Sequence, residues 1–213
     1  MSSERAITAG RRPRHGESKA ALLDAAVQII RTQGLHATGV GDLCGAAGVT
    51  KGAFFHHFAT KDDLAIAAAD HWSATTSALF AAAPYHDHVD PADRIFAYLD
   101  YRASLITGAP ADYTCLVGTM AQEVFDTSPA VRDACAASIL GHAETLEADL
   151  TEALADTNTN PGIDVPSLAR HIQVVLQGAF VLSKAVNDPD VVIEHINHLR
   201  RYLHYVLAHD TGE

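Results

Sequence analysis

The chain has 213 residues and a formal net charge of -11, with 15 lysines and arginines against 26 acids. That length buries a core without staples, and three unspaced cysteines (Cys44, Cys115, Cys135) fit a reducing compartment rather than a disulfide framework. No run of about 18 apolar residues points to a membrane span, and the polar start "MSSERAITAGRRPRHGESK" lacks the apolar segment of a secretory signal, so a cytoplasmic protein is expected.

Charge is unevenly distributed. Residues 1–61 hold eight basic and four acidic side chains, whereas the remainder holds seven basic and 22 acidic ones. A basic head on an acidic body suggests that only the head meets a polyanion. Residues 1–16 read as a flexible basic arm. From Ser18 to Thr32, Leu22, Ala26, Ile29 and Ile30 recur on one helical face, and Gly34 stops the helix. A second helix fits Val40–Ala47, with Thr38 placed to cap it. Gly48 breaks the chain, Thr50 can cap a third helix over Lys51–Phe58, and Thr60 a longer fourth over Lys61 to about Phe80.

Beyond "APYHDHVDP" (83–91) a helix is expected near Ala92–Thr107, and "GAPADY" (108–113) precedes one near Cys115–Phe125. "TSP" (127–129) opens a long helix to about Ala155, with Pro129 at an early position where its missing N–H costs little. After the loop "TNTNPGIDVP" (157–166) come two final helices, about Pro166–Val186 and Pro189–Ala208. No segment alternates like a strand. The fold expected is all-α, about nine helices.

Helices two and three, joined by "AAGVT" (46–50), have the layout of a helix-turn-helix. Gly48 permits the positive φ of the turn, Val49 tucks into the core, and Phe54 and Phe58, four apart, face inward. The third helix, about 12 Å long, fits a major groove, and Gly52 and Ala53 let its backbone come close.

"TGVGDLCGAAGVTKGAFFHHFATKDDL" (38–64) resembles the DNA-binding module of the TetR family of bacterial transcriptional regulators. Thr38, Ala47, Gly48, Val49, Thr50, Gly52, Phe54, His57, Phe58, Lys61 and Leu64 match that family's motif, and Leu43 stands for its isoleucine. Phe55 takes the place of the usual tyrosine, which removes a phosphate-binding hydroxyl. The resemblance covers roughly residues 18–64. It implies a two-fold dimer on a pseudo-palindromic double-stranded operator, and a repressor released by a small-molecule inducer. The division expected is arm 1–16, DNA-binding domain 17–62, and ligand-binding and dimerisation domain 63–213.

Candidate DNA contacts are Arg11, Arg12 and Arg14 on the arm, then Thr38, Thr50, Lys51, Gly52, Ala53, Phe55, His56, His57 and Lys61. Lys61 is assigned to phosphate. In the last helix Val192, Ile196, Leu199, Leu203 and Val206 recur at an a/d spacing and are read as the dimer seam. The preceding helix is apolar on more than one face, with Ile172, Val175, Leu176, Ala179, Leu182 and Val186 on one and Val174, Val181 and Ala185 on another. An inducer pocket is placed among Trp72, Phe80, Tyr98, Tyr101, Met120, Phe125, His142, Gln177 and Phe180, suited to an apolar or aromatic molecule. The pairs His86/His88 and His195/His198 lack a third ligand, so no metal and no cofactor are expected. Cys115, Glu123 and His142 are scattered, with no nucleophile elbow or phosphate loop, so no enzyme is expected. The competing reading is a helical ligand-binding protein or enzyme with a disused DNA module.

Overall fold

The computed structural model describes residues 15–155 and 162–207. All regular structure among them is helical. Arg11, Arg12 and Arg14 lie outside the described residues.

Helix α1 (His15–Gln33) sets Leu22, Ala26 and Ile30 at zero exposure along one face. It ends at Gly34, whose φ of 86° closes the helix with an N–H to Ile30 O at 2.8 Å. Helix α2 (Val40–Ala47) is capped by Gly39, not Thr38. Asp42 accepts the Gly39 N–H at 2.9 Å, while the Thr38 hydroxyl turns back to donate to Gly34 O at 2.6 Å. Gly48 (φ 65°) makes the turn into α3 (Lys51–His57). There Thr50 accepts the Ala53 N–H at 3.2 Å, as a capping threonine should. A reciprocal box follows at α4 (Lys61–Ala81), where Thr60 and Asp63 each accept the other's backbone N–H.

A 3-10 turn (Pro84–Asp87) leads to α5 (Pro91–Ser104), capped by Asp90. A single turn, α6 (Pro110–Tyr113), precedes α7 (Leu116–Val124). The long helix expected from 129 to 155 is two: α8 (Pro129–Glu144) and α9 (Glu147–Ala155). At the junction the Leu146 N–H bonds Ala143 O, three residues back, at 3.0 Å. Leu146 thereby turns its side chain into the core at 1 % exposure. Helices α10 (Val165–Val186) and α11 (Asp190–Leu207) complete the chain, joined through Asn187 at φ 54°.

Two apolar cores form. The first joins α1, α2 and α3 to Leu64–Ala69 of α4, and also to Leu116, Met120 and Val124 of α7 and Cys135 of α8. The second takes Phe80, α5, the far part of α8, α9, α10 and α11. Helix α4 is therefore anchored in both.

The a/d residues of α11 correct one expectation. Val192, Ile196, Leu199, Leu203 and Val206 are at most 3 % exposed and pack in the chain's own second core. The spacing marked a buried face, and the face is intramolecular. On α10, Ile172, Leu176 and Ala179 are buried, but Leu182 and Val186 are exposed beside Val174 and Val181. By length and composition α10 could cross a membrane. It also carries Arg170, Gln173 and Lys184 and packs on α8, α9 and α11.

Candidate nucleic-acid interface and ligand cavity

The sequence of α3 splits by face. Phe54 and Phe58 are buried, their ring centroids 5.7 Å apart, and hold α3 on α1 and α2. Thr50, Lys51, Gly52, Phe55 and His56 are exposed, with Ala53 and His57 half-buried at the edge. Phe55, 57 % exposed, sets its ring edge-on to Phe54 at 5.2 Å, which fixes an apolar plate on the outer surface. Such a plate can meet sugar or thymine methyl groups.

Two expected contacts belong elsewhere. Thr38 is 1 % exposed with its hydroxyl spent on Gly34 O, so its side chain is structural. The Lys61 ammonium donates to Leu35 O at 2.9 Å, Thr38 O at 3.3 Å and His36 O at 3.4 Å. It therefore pins the loop between α1 and α2 rather than facing outward. Lys51 is exposed on the α3 surface.

A cavity of about 50 Å³ lies deeper, walled by Trp72, Thr76 and Phe80 of α4, Arg102 of α5, His142 of α8 and Phe180 of α10, with Tyr113, Cys115, Gln173 and Gln177 also lining it. The Tyr98 hydroxyl organises its floor. It accepts from Arg102 Nε at 2.9 Å and Gln173 Nε2 at 3.3 Å. Its one proton is left for His142 Nε2 at 3.1 Å, which requires an imidazole that accepts there. Burial, and then the nearby Arg102, push the His142 pKa down to about 3, so the ring is neutral. Phe80 stacks edge-on to Tyr101 at 5.4 Å and to His142 at 4.7 Å. The Tyr113 hydroxyl meets Ser183 at 2.6 Å; since Ser183 donates to Asp188 O, Tyr113 is the donor.

Of the expected pocket residues, Trp72, Phe80, His142, Gln177 and Phe180 line this cavity, while Tyr98 and Tyr101 back it from behind. Met120 does not: it is fully buried in the first core. Phe125, just past the end of α7, is 65 % exposed. Arg102, Tyr113, Cys115 and Gln173 also line it and were not among the expected residues, because only the packing of the helices brings them to the cavity.

A larger cavity of about 370 Å³ opens between α7 and α10. It shares Cys115, Gln177 and Phe180 with the first and adds Glu123 and Lys184. Gly118 lies beside the Gln177 side-chain amide, where an added Cβ would oblige that side chain to shift. Burial pushes the Cys135 thiol up to about 12, so it stays protonated as a small core group.

Several contacts tie the cavity walls to the DNA-binding half. Arg31, 7 % exposed, donates from Nε to Thr114 O at 2.7 Å and lies 4.9 Å from the centre of the Trp72 ring. Lys184 donates to Thr119 Oγ1 at 2.7 Å and to Arg31 O at 3.3 Å. Glu123 accepts the His36 N–H at 2.8 Å. Gly34 lies against the Glu123 carboxylate, and its φ of 86° is what favours glycine there.

Comparison with known proteins agrees with this geometry. The family described as bacterial regulatory proteins of the tetR family matches residues 22–68, and the tetracyclin repressor-like C-terminal domain matches residues 91–199. Residues 91–199 alone are more than half the chain, and the chain belongs to the TetR family of transcriptional regulators, with a DNA-binding helix-turn-helix. The HTH-type transcriptional regulator AcrR of Shigella flexneri is 42% identical over 48 residues, a match spanning 22% of either protein's length. A TetR-family regulator from Agrobacterium tumefaciens superposes with a TM-score of 0.76 at 19% identity, covering 89% of this chain and 98% of that one. A TetR transcriptional regulator from Chloroflexus aurantiacus gives 0.74 at 26% identity, covering 89% and 95%. The reduced form of Escherichia coli NemR gives 0.71 at 21% identity, covering 86% and 96%.

Proposed function

We propose that this TetR-family chain is a repressor that binds a pseudo-palindromic operator as a dimer and leaves it when a small molecule enters the cavity beside Trp72, Phe80 and Phe180. The observation that carries the reading is the bonding to the DNA-binding module of the wall of the adjoining larger cavity, which shares Cys115, Gln177 and Phe180 with this one. Arg31 of α1 holds Thr114 at the end of α6, Glu123 joins α7 to the loop after α1, and Lys184 joins α10 to α1. A ligand that moves α7 or α10 therefore cannot leave the module undisturbed. Bases and phosphates are met by Thr50, Lys51, Gly52, Phe55 and His56, with Ala53 and His57 at the edge. The basic arm adds phosphate contacts. Operator DNA as partner puts the work of the protein in the cytoplasm.

The dimer face lies on the outer side of α10 and α11, not on the a/d seam of α11. Val174, Val181, Leu182 and Val186 are 44 % to 66 % exposed, and Tyr205 is 77 % exposed. Gly178 and Ala185 fall between them and allow close helix approach. An apolar stripe of this kind on a soluble regulator is best covered by its own copy across a two-fold axis.

Selection of duplexes from a random pool, then anisotropy titration of the enriched sequence, tests the reading. A pseudo-palindrome bound by two protomers is expected, with half-sites about one helical turn apart. Enrichment of no sequence, or binding by a single protomer, would overturn it.

A further inference from the structure

We propose that the ligand of the small cavity is an aromatic acid, seated with its carboxylate on the guanidinium of Arg102. This rests on the cavity being the inducer site and names the chemical class of the inducer.

The first argument is a missing partner. Arg94, on the same helix, is held by Asp149 and Glu152. Arg102 enters no ion pair among the described residues, in a chain with a net charge of -11. Its Nε is taken by Tyr98, and its guanidinium lies 4.3 Å from the centre of the Phe80 ring and 5.3 Å from that of Tyr98. No acceptor for its terminal nitrogens appears among the described residues. The ring faces and the C-terminal end of α5 steady the cation without neutralising it.

The second argument is the wall itself. Among the described residues that line the cavity, Arg102 carries the one formal charge, since His142 is neutral and no aspartate or glutamate is present. His142 and Gln173 are already bonded to the Tyr98 hydroxyl, which leaves the guanidinium as the strongest donor available to an incoming group. Trp72, Phe80 and Phe180 provide flat apolar walls for a ring; the small space alone is below the roughly 150 Å³ that a benzene ring fills, so the ring extends past Phe180 and Gln177 into the adjoining cavity. A planar guanidinium fork matches a carboxylate in two parallel bonds, and in a water-poor site the pairing is favoured more strongly than at the surface. Lys184, in the adjoining cavity, is the weaker candidate: its ammonium donates to Thr119 and Arg31 O, and Glu123 lies on the same wall.

Benzoate and benzamide have the same shape and differ by one charge. Ligand-observed NMR titration of the full chain with each measures the difference. Benzoate should bind at least about tenfold more tightly than benzamide, as a charge-assisted pair requires. Arg102→Gln should erase the preference, Arg102→Lys should retain it at lower affinity, and Lys184→Gln should leave it intact. In the wild type, the Arg102 Nε–H resonance should shift with benzoate and stay in place with benzamide, a readout that holds even if Arg102→Gln fails to fold. Equal affinities, a preference that survives Arg102→Gln or vanishes in Lys184→Gln, or no millimolar binding of benzoate overturns the proposal. No DNA enters the measurement. A chain that binds benzoate but no duplex would therefore sink the repressor reading and leave this one standing.

Discussion

Lys61→Met separates a structural lysine from a DNA contact. The substitution keeps the aliphatic stem and removes the donors. Of the three carbonyls the ammonium meets, Leu35 O at 2.9 Å is well placed, and those at 3.3 and 3.4 Å add little. One charge-assisted bond contributes about 1.5–3 kcal/mol. Against that, a cation in the first turn of α4 opposes the helix dipole, and its removal returns about 0.3–1 kcal/mol. The net loss is about 1–2 kcal/mol, which lowers the Tm of a chain this size by about 3–6 °C. Thermal unfolding measures that loss, and the salt dependence of operator binding is followed in parallel. The variant should be less stable with its salt slope unchanged, whereas Lys51→Ala should lower the slope by about 0.9 for one lost phosphate contact. Unchanged stability together with a slope lower by about one unit would refute the assignment and return Lys61 to the DNA surface.

The proposed dimer face and the core of α11 are told apart by charge. Val181→Glu should yield a folded monomer by light scattering with its helical signal kept, whereas Leu203→Glu should unfold the C-terminal half, since it strands a charge in the second core. Acid should weaken the fold through His142. Its folded pKa of about 3 lies below the unfolded 6.5, so its contribution is complete above about pH 6.5 and is lost as pH falls. By about pH 5 the loss is about 2 kcal/mol, to be seen as wild-type stability converging on that of His142→Gln; a constant gap between the two from about pH 7.5 to 5 would contradict it. Any compound that releases the operator should bind operator-loaded protein about 5–150-fold more weakly than free protein, and equal calorimetric affinities would exclude it as an inducer.

The helix-turn-helix was legible because its determinants are local. Thr50, Gly48 and the Phe54/Phe58 pair act within a few residues of where they stand. Where a residue had two local options, the sequence did not choose between them: Thr38 can cap forward or bond backward to Gly34, and the Gly39–Asp42 bond settles the matter. The α8–α9 break has no Gly or Pro at Thr145 and Leu146 themselves, Gly141 lying a turn earlier inside α8, and it coincides with the burial of Leu146. An a/d repeat tells that a face is covered and says nothing of what covers it, hence the misplaced dimer seam. The aromatic half of the cavity could be read from residue type. Its polar half could be read only in part: Tyr98, His142 and Gln177 stand among the expected residues, whereas Arg102 and Gln173 join them only because three helices converge.

The same convergence changes how a ligand would act. Helix α4 reaches both halves, with Leu64 in the first core and Phe80 in the second. Helix α7 is a second link. Its N-cap Cys115 lines both cavities, and Glu123 near its other end holds the His36 N–H. That loop also carries the carbonyls that receive Lys61, the first residue of α4. A ligand that shifts α7 would therefore move the loop between α1 and α2 and, through Lys61, the start of α4 as well. Both routes meet next to the helix-turn-helix. A ligand acting on α4 alone could be absorbed by bending its 21 residues, but one acting on α4 and α7 together displaces the module as a unit. The coupling would then need a ligand that only discriminates between two packings of α7 against α10.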